Sequence, residues 1–277
     1  MIFWDYDTQW GGDRSRSPGG PKTWGHDEFV NTERLLALHA EYGVPACFAV
    51  VGAAALDGPR PYHDPAQIRA VHHAGHEVAS HSFKHEWLPG LGIEGLRATL
   101  RQSKDALEQC IGAPVVSFVP PFNQPIDYPA ALSISVSERR SVPRERIGVR
   151  RLCEELRDAG YRVCRLAYRS LAHRLAERGI GRRIDRPLAP RRIAGVVCVR
   201  LNTPGGFTAP NLEVVERCAD QGGVVAVYGH PHSLAGSDPQ SERSLVPFLE
   251  RVSALRREGR VKVGLPRDLV RAVGVTA

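Results

Sequence analysis

Several features that would mark a particular class of protein are scarce or missing in this 277-residue sequence. No apolar run approaches the length of about 20 residues that a transmembrane helix needs. None of the six cysteines forms a C-x-x-C pair, and six are too few for a disulfide scaffold of this length. We therefore expect a protein with reduced thiols and without a membrane span.

The first residues lack the charged region and the long apolar stretch of a secretory signal peptide. Together with the reduced thiols, this absence predicts a cytoplasmic location. No G-x-G-x-x-G follows the first apolar run, which argues against a dinucleotide-binding sheet.

Lysine is also scarce, because Lys22, Lys84, Lys104 and Lys262 are the only lysines among 37 basic residues. Arginine therefore supplies most of the net charge of +7. Its planar fork suits phosphate and carboxylate ligands. No basic strip interleaved with aromatic residues is present, so we expect no nucleic-acid partner.

What the sequence does contain is an alternation of apolar segments and helical patterns, repeated about eight times. VPACFAVVG is a continuous apolar run that predicts a buried strand, and GIEGLRATLRQSKDALEQCIG predicts a long amphipathic helix. IAGVVCVRL and VKVGL predict later strands. This rhythm is typical of parallel strands joined by crossover helices, and it fits both an open sheet and a (β/α) barrel.

Acids and histidines follow several of these predicted strands. The first strand ends in FWDYD, the third is followed by HSFKH, and a late strand is followed by GHPHS. In parallel α/β folds the functional site forms at the carboxyl ends of the strands. The residues that we expect at this rim are Asp5, Asp7, His81, His85, His230 and His232.

The HSFKH segment is an H-x-x-x-H pattern. Two imidazoles four residues apart face the same side of a helical turn, and with one carboxylate they can hold a divalent metal ion. A bound metal acidifies water, and a second carboxylate can accept the proton. By its spacing alone, however, HSFKH fits a pair of surface or capping histidines better than a metal site.

The combination of these motifs resembles the polysaccharide deacetylases, also known as NodB-homology or carbohydrate esterase family 4 domains, from about Ile2 to Leu265. The resemblance implies an irregular (β/α) barrel of seven or eight parallel strands. It also implies a single catalytic domain that spans residues 1–277.

The same resemblance implies roles for the motif residues. FWDYD is the D-x-D variant of the first motif, with Asp5 as the general base and Asp7 as a metal ligand. HSFKH matches the second motif, which makes His81 and His85 ligands. GVVAVYGHP matches the fifth motif, which makes His230 the general acid, with the nearby His232 as its rival.

The implied function is metal-dependent removal of an N-acetyl group from an amino sugar or a sugar-containing intermediate. Zinc is the favoured metal, and cobalt, nickel, manganese and iron(II) are alternatives. Two other functions stay open: a deformylase or amidase with the same metal site, and a catalytically degenerate carbohydrate-binding protein.

The sequence departs from the family at the third and fourth motifs. Val119 in FVPPFNQ stands where the family has an arginine that orients the catalytic aspartate. We expect Arg14 or Arg16 to replace that arginine. The fourth motif, which carries an aspartate and a tryptophan, has no clear match.

Residues that flank the motifs are candidates for substrate binding. Aromatic side chains near the rim can stack on sugar rings, but core packing explains them equally well. Gly11 and Gly12 predict a flexible loop after the first motif. The candidate substrate-binding residues are Trp10, Arg14, Pro121, Asn123, Gln124 and His232.

Overall fold

The protein is described by a computed structural model that covers residues 1–15, 20–123, 147–166, 187–203, 205–237 and 239–272. Its strands form one sheet, and they are β1 (Ile2–Tyr6), β2 (Cys47–Val50), β3 (Glu77–Ser80), β4 (Ser117–Phe118), β5 (Val163–Leu166), β6 (Arg191–Ile193), β7 (Val196–Arg200) and β8 (Val227–Gly229).

Helices alternate with the strands and cover the outer face of the sheet. They are α1 (Thr8–Ser15), α2 (Trp24–Tyr42), α3 (Pro65–His73), α4 (Gly92–Ile111), α5 (Val149–Asp158), α6 (Ala209–Gln221), α7 (Glu242–Arg257) and α8 (Asp268–Ala272). None of the described helices combines the length and the apolar character that a bilayer-spanning segment requires.

The sheet has the strand order β6-β7-β5-β4-β3-β2-β1-β8. Every pairing is parallel except that of β6 with β7. Asn202, just after β7, donates its backbone N–H to Ala226 and accepts the Ala226 N–H on Oδ1 at 2.8 Å, next to the edge strand β8. The prediction of an irregular barrel of parallel strands is therefore confirmed as a curled, mostly parallel eight-stranded sheet.

Two apolar cores lie on opposite faces of this curled sheet. The larger core lies between the strands and the helices and includes Trp4, Phe48 and Leu100. The smaller core fills the interior and contains Phe3 with small side chains such as Cys47 and Ala49. Successive side chains of a strand point to opposite faces, so the odd-numbered residues of β1 enter the interior.

Two local predictions were wrong, and a third holds for only part of its segment. The segment after the first motif is the helix α1 rather than a loop. A Cβ on Gly11 would lie 2.4 Å from Cβ of Asp7, so that glycine serves close packing. In IAGVVCVRL the prediction of a strand is confirmed for VVCVR, which is β7, whereas Ile193 ends β6 and the positive φ values of Ala194 and Gly195 turn the chain between the two strands. VKVGL is not a strand: Val261 and Val263 pack against the outer core without joining the sheet.

Candidate active site

The carboxyl ends of β1 and β3 bring two acids and two imidazoles together. Asp5 is the penultimate residue of β1, which ends at Tyr6, and Asp7 follows the strand directly. His81 follows β3, and His85 lies four residues further on. All four residues are buried, with 1–3% of their surface exposed. The predicted gathering of these residues at one rim is what the structure describes.

Asp7, His81 and His85 form a compact cluster of candidate metal ligands. The Nε2 atoms of His81 and His85 lie 3.3 Å and 3.5 Å from Oδ1 of Asp7. One ligand atom from each residue lies within 4.8 Å of the others. This separation suits three donors around one small divalent ion, whose bonds to imidazole nitrogen are about 2.0–2.1 Å.

Hydrogen bonding orients His81 for this role. Its Nδ1 lies 2.7 Å from the backbone oxygen of Val119, which can only accept, so Nδ1 carries a proton. In the neutral ring, the lone pair of Nε2 then faces Oδ1 of Asp7, which has no hydrogen-bond partner among the described residues. Two facing lone pairs require a cation or a proton between them, so the donor set fits a divalent metal ion.

The pKa values agree with this arrangement. Burial by itself would raise the pKa of Asp7, but His85 and His81 hold it below its usual range. Burial opposes protonation of His81, yet the adjacent carboxylates of Asp7 and Asp5 raise the pKa of His81 above its ordinary value. Burial lowers the pKa of His85 to about 4, so this imidazole is neutral, as a metal ligand must be.

The HSFKH segment is not a helical turn, contrary to the prediction. Ser82 and His85 have φ values of 64° and 56°, in the left-handed region that non-glycine residues rarely adopt. These two residues reverse the chain so that both imidazoles face Asp7. Such backbone strain is typical of functional sites.

Glu28 of α2 supports the end of β1, a role that no sequence motif indicated. Its carboxylate accepts the backbone N–H of Asp7 at 3.0 Å and that of Thr8. Burial and the charge of Asp7 raise the pKa of Glu28 well above its usual range. The bonds fix the peptide that leads from Asp7 to Thr8, whose φ is 54°.

Asp5 is paired with Arg165, a role that we expected of Arg14 or Arg16. Nη1 and Nη2 of Arg165 donate to the two carboxylate oxygens of Asp5, both at 2.6 Å. Burial alone would raise the pKa of Asp5, but Arg165 and the neighbouring His81 hold it below its usual value. Arg16 lies outside the described residues.

Strand geometry explains how Arg165 reaches Asp5. In β5, Val163 and Arg165 point into the interior, whereas Cys164 and Leu166 join the outer core. Small interior side chains leave room for the guanidinium, which lies between the rings of Phe3 and Tyr228, at 5.2 Å and 5.0 Å from their centroids. The one sequence signal for this role of Arg165 was its position as a charged residue inside the apolar pattern VCRL.

The two candidate general acids have different surroundings. His230 follows β8, and its Nδ1 lies 2.9 Å from Oε1 of Gln240. His232 packs edge-on against Trp24 with 3.9 Å between ring centroids. Burial lowers the pKa of His232 to about 3, so it stays neutral near pH 7.

The candidate substrate-binding residues are only partly gathered. Trp10 packs against Tyr62, and the Lys84 ammonium lies 5.0 Å from the centroid of the Trp10 ring. Pro121 is buried beside Phe122, whose ring lies 4.5 Å from that of His85. Arg14 lies in the last turn of α1. The side chain of Asn123 and all of Gln124 lie outside the described residues.

The structure thus combines a curled, mostly parallel α/β sheet with a cluster of acids and imidazoles at its rim. The sequence profile described as polysaccharide deacetylase matches residues 24–132 of this chain. That segment includes HSFKH, whereas the first and fifth motifs lie outside it. The resemblance to polysaccharide deacetylases that the motifs indicated is thereby confirmed.

One solved structure of a similar protein supports the fold, and two others are similar at lower TM-scores. A candidate polysaccharide deacetylase from Mycobacterium smegmatis has a TM-score of 0.64 at 19% identity, over 99% of this chain and 88% of that one. A family 4 carbohydrate esterase from Streptomyces lividans, in complex with acetate, has a TM-score of 0.47 at 14% identity, over 95% and 90%. BA3943, a CE4 family pseudoenzyme from Bacillus anthracis, has a TM-score of 0.46 at 14% identity, over 88% and 61%.

Proposed function

We propose that this protein is a metal-dependent hydrolase that removes an N-acetyl group from an amino sugar or a sugar-containing intermediate. Asp7, His81 and His85 would hold the divalent metal ion, most simply zinc. The observation that carries the proposal is the orientation of His81: its Nδ1 proton is bound by Val119, and its Nε2 faces an unpartnered oxygen of Asp7. When bound, a divalent ion would polarise the acetyl carbonyl and acidify a water molecule.

The residues around the cluster supply the proton transfers. Asp5 is the general base, and Arg165 fixes both of its oxygens so that one lone pair stays aimed at the water. His230 delivers a proton to the departing nitrogen. His232 is a poorer general acid, because its burial against Trp24 favours the neutral ring.

The products would be acetate and a free amine. Trp10, which is half-buried and lies beside Lys84, is the proposed sugar-stacking residue. Further candidates for substrate contacts are Arg14, Pro121, Asn123, Gln124 and His232. We also propose that the whole chain acts as one catalytic domain.

We propose a cytoplasmic substrate. All six cysteines are free, and Cys153 and Cys198 are unbonded although their sulfur atoms lie only 3.6 Å apart in the core. Unpaired neighbouring thiols are expected in a reducing compartment. A sugar linked to a nucleotide, a glycan-assembly intermediate or a natural-product precursor would fit this location.

The test combines metal analysis with product identification. Purified wild-type protein should contain about one equivalent of divalent metal per chain and release acetate from N-acetylated amino sugars. Asp7→Ala should lose both the metal and the activity. Asp5→Asn should keep the metal and lose turnover, because it removes only the base. His73→Ala, which changes an exposed histidine away from the rim, is the matched control.

The outcomes separate the alternatives. Release of formate, or ring opening of a cyclic amide, in place of acetate release would favour a deformylase or amidase with the same site. Sugar binding without turnover, unaffected by Asp5→Asn, would favour a binding protein. A folded wild-type protein that takes up no divalent metal would refute the proposal.

A further inference from the structure

Gln240 contacts His230 through two hydrogen bonds that end on one oxygen. Its Oε1 accepts the backbone N–H of His230 at 2.6 Å and faces His230 Nδ1 at 2.9 Å. A backbone N–H can only donate, so the atom of the amide that faces it must be the oxygen. The backbone N–H of His230 therefore determines that the oxygen of the Gln240 amide, and not its nitrogen, faces His230.

The same oxygen decides which ring nitrogen of His230 carries the proton. An amide oxygen cannot donate, so the Nδ1 atom that faces it must be protonated. In the neutral ring, Nε2 then holds the lone pair. Metal-binding and catalytic histidines are usually oriented by such a partner on the second nitrogen.

Neighbouring residues hold Gln240 in place. A Cβ on Gly205 would lie 3.2 Å from Nε2 of Gln240 and 3.0 Å from the ring of Tyr228. The Tyr228 ring lies 5.7 Å from the ring of His230 and covers the guanidinium of Arg165. Packing thus connects the residue that orients His230 with the residue that orients Asp5.

We propose that Gln240 is a positioning residue, which accepts the Nδ1–H of His230 and so directs Nε2, the atom that carries the donated proton in the doubly protonated ring, toward the substrate. The catalytic consequence rests on the proposed function, since it assumes that the doubly protonated ring of His230 gives its Nε2 proton to the leaving nitrogen and becomes the neutral Nδ1–H tautomer. A neutral amide performs this task here, in a sequence without a clear match to the fourth motif of the resembled family.

The tautomer can be measured without any substrate. In ¹⁵N-histidine-labelled protein, two-dimensional ¹H–¹⁵N spectra at pH 8 distinguish Nδ1–H from Nε2–H rings, and His230→Gln identifies the His230 signals. Wild-type protein should show His230 as Nδ1–H. Gln240→Met, which removes the acceptor at similar size, should shift His230 toward Nε2–H. Gln240→Glu keeps the acceptor and should restore the wild-type tautomer.

Kinetics provide the second readout. Gln240→Met should lower kcat by about 10- to 100-fold with little change in KM, because the misdirected ring still allows the substrate to bind. Gln240→Glu should recover most of that loss. Gln102→Met, an exposed change on α4, is the control for the methionine substitution. Equal metal content and equal melting temperatures show that the variants remain folded.

Each result counts for or against the inference. An Nε2–H ring in the wild-type protein, or an unchanged tautomer in Gln240→Met, would overturn it. An unchanged kcat in Gln240→Met would overturn the catalytic role. If no substrate is deacetylated by the wild-type protein, the proposed function fails, whereas the tautomer experiment still decides what Gln240 does to His230.

Discussion

The buried ion pair between Arg165 and Asp5 offers the sharpest test of the structure. Both side chains are almost fully buried, with 1% and 3% of their surface exposed. Replacing Arg165 by methionine keeps an unbranched side chain of similar length but leaves the Asp5 carboxylate buried without its two donors. Breaking a buried pair from one side costs about 3–5 kcal/mol of unfolding free energy, because the remaining charge is uncompensated.

The assay is urea unfolding of the metal-free protein at pH 7, monitored by tryptophan fluorescence. The matched control is Arg34→Gln, which breaks a bidentate pair with Glu242 at the surface. Solvent screens that exposed pair, so its loss should change stability far less. Both variants remove one guanidinium and one bidentate contact, and they differ mainly in burial.

A double variant completes the cycle. Asp5→Asn combined with Arg165→Met removes both charges, and it should be less destabilised than Arg165→Met alone. The reasoning fails if Arg165→Met is no less stable than Arg34→Gln. It also fails if the two single losses simply add in the double variant, because the residues would then not interact.

Three further predictions concern other buried contacts. His39 accepts the Trp4 indole N–H on Nε2 at 2.8 Å, and burial lowers its pKa to about 3. Its contribution to stability is therefore complete above about pH 6.5 and falls by about 1.4 kcal/mol per pH unit below it, where only the unfolded chain gains the proton. Urea unfolding at pH 7, 6 and 5 should show that the unfolding free energy of His39→Gln falls less steeply with decreasing pH than that of the wild-type protein. An equal dependence on pH would contradict the assignment. Glu28→Gln should weaken metal binding by about 10- to 100-fold in calorimetry, because a single amide oxygen replaces the two carboxylate oxygens that accept the backbone N–H groups of Asp7 and Thr8. An unchanged metal affinity would count against this role of Glu28. Gly52→Ala should lower the unfolding free energy in urea by about 1–3 kcal/mol, because its Cβ would lie 2.5 Å from Cα of Ser103. Gly264→Ala is the control, because its Cβ would have no atom nearer than 3.6 Å. Equal losses of unfolding free energy in the two variants would contradict the packing around Gly52.

Much of the fold could be predicted from the sequence because the relevant signals are local. Apolar runs such as VPACFAVVG and the helical pattern that ends at Gly112 correspond to observed elements. Predictions failed where context overrides pattern. The glycines of α1 meet neighbouring side chains at close range, and VKVGL packs its valines without finding a strand partner.

The candidate site likewise has a part that could be predicted from the sequence and a part that could not. Asp5, Asp7, His81 and His85 could be named from the sequence, because each lies at or just after the end of a strand in a recognisable motif. Parallel strands place their carboxyl ends at one rim, so these residues must meet. The local geometry of HSFKH was not predictable, because it depends on two residues with positive φ.

Sequence alone therefore determined the alternation of strands and helices and the chemical groups at the rim, since both follow from periodicity and short motifs. Only the tertiary structure decided which residues orient those groups. Arg165 lies 160 positions from Asp5, and it reaches that carboxylate because the sheet curls and the small side chains of its interior leave space. Glu28 and Gln240 accept hydrogen bonds from backbone N–H groups, and the positions of these groups cannot be predicted from the pattern of side chains in the sequence.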